Sequence, residues 1–241
     1  MQRRTICASS SGRPEVGDRA LTLASPADAA DTAAFASRLL RLDEAAVIRL
    51  QQRDDGLVGL WGTTGFEVLA TRAVFGSLTP ADVVCDARLL ADSAGAGNLA
   101  IDPGFALDSA WRGALPPQTG YQQIDDVPLR TVVDLAQRGA GLAREPVGGH
   151  GPVTGLLDQV VLEVSDGQTS VGIALRTLFA LTGMGFARDK SGRSISESSA
   201  LHDIAADEPV RVRASATWIR LDARFGAVYQ RRGDQFAVTV L

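Results

Sequence analysis

Apolar and polar residues alternate through Val47, Ile48, Arg49, Leu50, Gln51 and Gln52, a period of two that predicts a strand with one buried face. The alternation stops at Asp55-Gly56, the dipeptide that most favours a tight hairpin, and resumes in Leu57, Val58, Leu60 and Trp61. A turn at Gly62-Thr63-Thr64-Gly65 leads to a third strand over residues 66–74, so the pattern predicts a three-strand meander. After Pro80, residues 82–85 read as a fourth short strand feeding a helix that holds Leu89 and Leu90. A helix precedes the meander. Ser25 is its N-cap, Pro26 sits at N1, Asp28 lies in the first turn, and Phe35, Leu39, Leu40 and Leu42 form its apolar face.

Further along, one phrase is written twice. Asp126-Val127-Pro128-Leu129-Arg130-Thr131-Val132-Val133-Asp134-Leu135 is echoed by Gly172-Ile173-Ala174-Leu175-Arg176-Thr177-Leu178-Phe179-Ala180-Leu181, each running on to a glycine, Gly139 or Gly185. Both copies predict a strand that bends straight into a short amphipathic helix, with the glycine at the C′ position where φ turns positive. Between them lies a glycine-rich loop, Gly148-Gly149-His150-Gly151. Residues 159–164 and 170–175 then form a hairpin about Asp166-Gly167. Residues 188–199 are polar and serine-rich and read as an exposed loop. The chain closes in β periodicity over residues 210–213, 218–221, 227–229 and 236–241, the last expected to be tied into a sheet.

These elements place the chain in the α+β class, as two lobes that are each an antiparallel β-meander covered by one or two helices. The expected divisions are an unstructured leader over residues 1–24, an N-terminal lobe over 25–95, a Gly/Pro linker over 96–123, and a C-terminal lobe over 124–241. The linker is expected to pack through Trp111 and Tyr121.

Composition narrows the setting. Hydrophobic residues make up 45% of the 241 and charged residues 22%, the balance of a globular protein with a sizeable core. No apolar run approaches the roughly 18 residues of a membrane helix. Arg3 and Arg4 have no apolar stretch behind them, so they do not read as a secretion signal, and the cytoplasm is the expected location. Cys7 and Cys85 cannot make a disulfide framework; Cys85, after Val83 and Val84, reads as a small core residue. Lys190 is the single lysine and Asn98 the single asparagine, a bias that resembles proteins encoded by GC-rich genomes such as those of actinobacteria.

Charge adds an asymmetry. Residues 210–241 contain Arg211, Arg213, Arg220, Arg224, Arg231 and Arg232 against Asp222 and Asp234, a net of +4 in a chain whose total is −4. Arg211 and Arg213 alternate with Val210 and Val212, so the two guanidinium groups project from one strand face. A basic, β-rich end on an acidic body suits an acidic partner: a nucleic acid, another protein, or the body's own surface. Arg211, Arg213, Arg220, Arg231 and Arg232 are the candidate binding residues, with Trp218 and Tyr229 as aromatic anchors.

Other chemistries find little material. His150 and His202 are the only histidines and there is no Cys-x-x-Cys, too few ligands for a metal centre, and no cofactor is expected. A Gly-x-Ser-x-Gly elbow and a phosphate-binding Walker loop are both missing. Cys85 with a histidine would be the one thiol–imidazole pair available, and His150 is the candidate acid/base should its loop hold a ligand. Gly95-Ala96-Gly97-Asn98-Leu99-Ala100 matches a dinucleotide fingerprint in letters, but it follows a helix where the fingerprint needs a strand. Of the paired carboxylates, Asp54-Asp55 falls in a hairpin turn and Asp125-Asp126 is expected to cap a helix.

Two stretches resemble one family. Leu57-Val58-Gly59-Leu60-Trp61-Gly62-Thr63-Thr64-Gly65-Phe66-Glu67-Val68 looks like two central strands of a DNA polymerase sliding-clamp domain with their acidic turn. Val127-Pro128-Leu129-Arg130, followed by an aliphatic helix, looks like the clamp's strand-to-helix element. The resemblance covers about residues 30–95 and a few later positions. It implies clamp-like lobes, with the strands after the first lobe's second helix replaced by the Gly/Pro stretch and without lysines to line a DNA channel. The chain also resembles uncharacterised actinobacterial proteins. The expected function is a non-catalytic binding or scaffold protein. A small-molecule enzyme centred on His150 and a structural homo-oligomer are the alternatives.

Overall fold

The computed structural model describes residues 19–144, 154–196 and 198–232. The first lobe runs β1 (Ala20–Leu23), α1 (Pro26–Leu42), β2 (Val47–Gln52), β3 (Leu57–Thr63), β4 (Leu69–Thr79), β5 (Asp82–Asp86), α2 (Ala87–Gly95) and the two-residue β6 (Ala100–Ile101). The second runs β7 (Gln122–Pro128), α3 (Leu129–Arg144), the short α4 (Thr154–Leu157), β8 (Val160–Ser165), β9 (Ser170–Ala174), α5 (Leu175–Gly183), β10 (Pro209–Ala214), β11 (Trp218–Ala223) and β12 (Gly226–Arg231). The fold is α+β: antiparallel meanders β2-β3-β4 and β10-β11-β12, with helices packed against them.

Strand and helix starts follow the local chemistry. Ser25 is extended at the N-cap of α1, and its Oγ accepts from the Asp28 N–H at 3.3 Å. The Asp55-Gly56 turn joins β2 to β3, and Gly56 takes φ +77°. Asp55 Oδ1 accepts from the Leu57 N–H. The third strand begins later than the periodicity suggests, at Leu69, because Thr64 closes a turn on Val68 and Glu67 adopts φ +59° there.

The residues read as an unstructured leader need correction. Residues 20–23 form β1, paired antiparallel with both β4 and β6, and Leu21 and Leu23 are buried in the core. Four residues are too short a window for periodicity to register, and their partners are distant in sequence. Residues 1–18 lie outside the described residues, as do the predicted strand over 236–241 and the loop holding His150.

A single sheet runs through both lobes in the order β5-β2-β3-β4-β12-β11-β10-β7, and β4 joins β12 through Thr71↔Ala227, Ala70↔Val228 and Leu69↔Tyr229. The core is likewise continuous, from Leu39, Leu50 and Leu60 to Leu178, Val212 and Leu221. Gly62 is required where α1 crosses β3, since a Cβ there would lie 2.3 Å from Leu39 Cδ2. β8 and β9 form a separate two-stranded sheet.

Both copies of the repeated phrase do what their spacing predicts: β7 passes directly into α3, and β9 into α5. Gly185 has φ +63° just beyond α5, as a C′ glycine should. Gly139 is different. It lies inside α3, where a Cβ would stand 2.6 Å from Leu175 Cδ1, so its role is to let the second copy's first leucine pack against the first copy's helix. The Asp125-Asp126 pair is also placed differently, in β7 and not at a helix cap, because α3 starts from the strand itself.

Candidate partner-binding face

One face of the sheet packs on the helices, and the other carries the predicted arginines. Val210 and Val212 are fully buried, while Arg211 and Arg213 project from the opposite side of β10. Register sets their surroundings. Arg213 lies opposite Arg220, and both guanidinium groups reach one carboxylate: Arg213 Nη1 to Asp222 Oδ2 at 2.9 Å and Arg220 Nη2 to Asp222 Oδ1 at 2.6 Å. Arg211 Nε stands 4.0 Å from Asp126 Oδ2 across the β10–β7 ladder. Arg231 stacks over Trp218 at 4.8 Å, and Arg232 Nη1 donates to the Ser215 carbonyl at 3.0 Å. Arg211, Arg213 and Arg220 therefore share two carboxylates, while Arg231 and Arg232 rest on a ring and a carbonyl.

Trp218 and Tyr229 stand on this same face but are not surface anchors. Trp218 is 6% exposed and Tyr229 4%, joined with Trp61 in an aromatic cluster whose Trp61–Tyr229 and Trp218–Tyr229 centroids are 5.3 and 6.4 Å apart. Trp111, Leu115 and Tyr121 pack on top. The Gly/Pro segment is thus a strap over the sheet, and it takes the rings a partner would otherwise meet. Burial pushes the Tyr229 hydroxyl up to about 12. With the strap in place, the face offers charge at its margins and polar surface along the strap.

Two grooves border this face. One, about 480 Å³, lies between Gln118-Thr119 of the strap and the sheet, and is lined by Arg53, Arg72, Arg220, Arg224 and Asp222. The other, about 1120 Å³, separates the β8–β9 sheet from the main sheet, with Arg112, Arg176, Arg231 and Arg232 facing Glu67, Asp158 and Glu163. Arg112 and Arg176 were not singled out as binding residues. Arg176 was legible only as a repeat position, yet it donates to the Phe66 carbonyl at 3.1 Å, to Glu67 Oε2 at 2.7 Å and to Asp158 Oδ1 at 2.5 Å.

The remaining chemical candidates do not converge. Cys85 is buried, its thiol donates to the Ile48 carbonyl at 3.6 Å, and desolvation pushes it up to about 12, so no thiolate is available at neutral pH. His202 lies in a 3₁₀ turn with its side chain 85% exposed, 3.4 Å from Asp203. The Gly95–Gly97 stretch ends α2, with Gly97 at φ +84°. Asp55 is held below the usual carboxylate range by its hydrogen bond from Arg53. Among the described residues, no three His, Cys, Asp or Glu side chains gather as metal ligands. No described helix is long and apolar enough to cross a membrane.

Residues 16–113 match a domain of unknown function, DUF8010, and residues 116–235 match another, DUF8185. No curated protein matches the chain. Solved structures do match. The DNA polymerase sliding clamp of Bacillus subtilis superposes with a TM-score of 0.54 at 12% identity, over 90% of this chain and 64% of that one. The fold is sliding-clamp-like. The polymerase III beta of Caulobacter crescentus gives 0.52 at 10% identity, over 88% of this chain and 64% of that one. A DnaN sliding clamp from Bartonella birtlesii, bound to griselimycin, gives 0.51 at 12% identity over 90% and 65%. The chain therefore spans about two thirds of the length of the clamps it resembles.

Proposed function

We propose that this chain is a non-catalytic, cytoplasmic binding scaffold whose basic outer face on β10–β12 holds an acidic partner. The observation that carries this reading is the arrangement of Arg211, Arg213, Arg220, Arg231 and Arg232 on neighbouring strands with only Asp126 and Asp222 paired to them among the described residues. The clamp-like fold supports it, because the structures that share the fold are DNA polymerase clamps. Nucleic acid is accordingly the first partner to test, and an acidic protein segment the second. Trp218 and Tyr229 serve this face by anchoring the strap that Trp111 and Tyr121 lay over it. The alternative enzyme reading gains nothing from the described residues, since Cys85 is a protonated core thiol and His202 is solvated.

Phosphate contacts by arginine release counterions, so binding to short duplex or single-stranded DNA should weaken steeply with salt. Reversing Arg211 and Arg213 to glutamate should lower affinity at low salt by about tenfold or more, at roughly a kcal/mol or more per lost charge-assisted contact. Gel shift and fluorescence anisotropy measure this. If wild type shows no binding at low salt, the nucleic-acid version is wrong.

A homo-oligomer is the second reading, favoured by one observation: among the described residues β7 pairs only with β10, so its other edge, which carries Asp125 and Asp126 beside the basic face, has no described partner strand. A neighbour's arginines would meet those acids, and light scattering across ionic strengths separates this case from DNA binding.

A further inference from the structure

At the junction of the lobes, arginines outnumber the acids that face them. Arg38 of α1 reaches across to the second lobe, where its Nη2 donates to Ser194 Oγ at 2.8 Å. Its guanidinium lies against the Gly185 backbone: a Cβ at that position would fall 2.6 Å from Arg38 Cζ. Ser194 is in turn the β-bridge partner of Arg188, and the Arg188 guanidinium stacks on the Phe225 ring at 4.1 Å. Arg72 of β4 donates to the Phe225 carbonyl at 3.2 Å and pairs with Asp31 of α1. Ser194 and Phe225 thus hold three guanidinium groups from α1, β4 and the 188–194 loop within one seam, and Arg41, a turn after Arg38 on α1, adds a fourth charge.

The balancing acid here is Asp31, already paired with Arg72; Asp189 nearby is engaged by Ser191 and Arg193. Burial and the like charges of Arg188, Arg41 and Arg72 hold the Arg38 guanidinium below the ordinary arginine value. Arg188 Nε is shut away from bulk water and has no hydrogen-bond partner among the described residues. A buried donor left without an acceptor is costly, and neighbouring like charges repel one another. An oxyanion with several acceptor atoms relieves both at once, and arginine forks suit its geometry.

We propose that Arg38, Arg72 and Arg188, with Arg41 at the rim, form a binding site for a phosphate-type oxyanion in the seam between the two lobes. Arg72 also lines the strap groove, but the site uses none of the outer-face arginines Arg211, Arg213, Arg220, Arg231 and Arg232 and does not depend on that face's function. Because its ligands come from both lobes, the anion pins them together, and occupancy stabilises the whole chain by mass action.

The test uses the full chain with inorganic phosphate as the probe, against chloride at matched ionic strength. Millimolar phosphate should raise the melting temperature by about 2 °C or more, and chloride should not. Titration calorimetry should show affinity weakened about tenfold in Arg188→Gln and in Arg38→Gln, and unchanged in Arg211→Glu on the outer face. Arg41→Gln, at an exposed helix position, covers the case in which the buried variants fail to fold, and should weaken binding by a smaller factor. A sugar phosphate compared with inorganic phosphate separates the two sources: a free anion favours the latter, a phosphomonoester the former. Equal stabilisation by chloride, or an undiminished phosphate response in Arg38→Gln and Arg41→Gln, overturns the proposal.

Discussion

α3 and α5 open with the same Leu-Arg-Thr phrase and end up in unlike surroundings. In α3, Thr131 is exposed, Leu135 is partly buried, and Arg130 spends both Nε and Nη2 on the single carbonyl of Ile204. In α5, Thr177 is fully buried and donates to Gln230 Oε1 at 2.5 Å, Leu181 is fully buried, and Arg176 ties Phe66, Glu67 and Asp158 together. Phe179 packs on Phe66 with centroids 5.7 Å apart, and Gly183 lies close to Leu42. The second copy joins the lobes; the first covers one of them. Equivalent phrases therefore have unequal energetic weight, set by what surrounds each helix and not by its own amphipathicity.

That inequality can be broken at three levels. The largest effect should come from the matched leucines. Leu181→Ala removes a fully buried side chain and should cost about 2–5 kcal/mol in urea unfolding, whereas Leu135→Ala at the equivalent place should cost less than half as much. Equal losses would mean the two helices are equivalent after all.

The glycines of α3 sharpen the comparison next. Gly139→Val forces branched atoms onto Leu175 and should destabilise by about 1–3 kcal/mol through overpacking. Two residues on, a Cβ at Gly141 meets nothing within 4 Å, so Gly141→Ala should stabilise by roughly 0.5–1 kcal/mol through backbone entropy. Opposite signs from neighbouring glycines of one helix would locate the contact between the copies; equal signs would remove it.

The smallest effect is a pH response. Past Gly185 the second copy continues into a loop fastened by Asp189, whose carboxyl is lowered to about 2 by the Ser191 hydroxyl, with Arg193 also contributing. A depressed folded-state value means the stabilisation is complete above the ordinary aspartate range, near 4, and is lost as pH falls toward about 2. Asp189→Asn should flatten the stability profile in that window and lower stability slightly across the neutral range, converging with the wild type as pH falls toward about 2. An unaltered acid limb would show that the loop adds nothing to the fold.

Much of the architecture could be read along the chain. The cap at Ser25-Pro26, the Asp55-Gly56 and Asp166-Gly167 turns, the β10–β12 meander and both strand-to-helix passages depend on neighbours a few residues apart, and local chemistry decides them. The alternation of Arg211 and Arg213 with buried valines is of the same kind. What escaped were features whose partners lie far away. β1 exists because β4 and β6 flank it, Gly139 is needed because Leu175 arrives from the other copy, and Trp218 and Tyr229 are covered because Trp111 and Tyr121 fold back over them.

By itself, then, the order of residues determined the elements, their turns, the α+β class and which strand faces carry charge, because these follow from periods of two and 3.6 and from backbone preferences. Only the tertiary structure decided that the lobes share one sheet, that the proline-rich segment is a strap, and that Arg38, Arg72 and Arg188 meet in one seam. These depend on which surfaces come together across more than a hundred residues, and no local pattern encodes that.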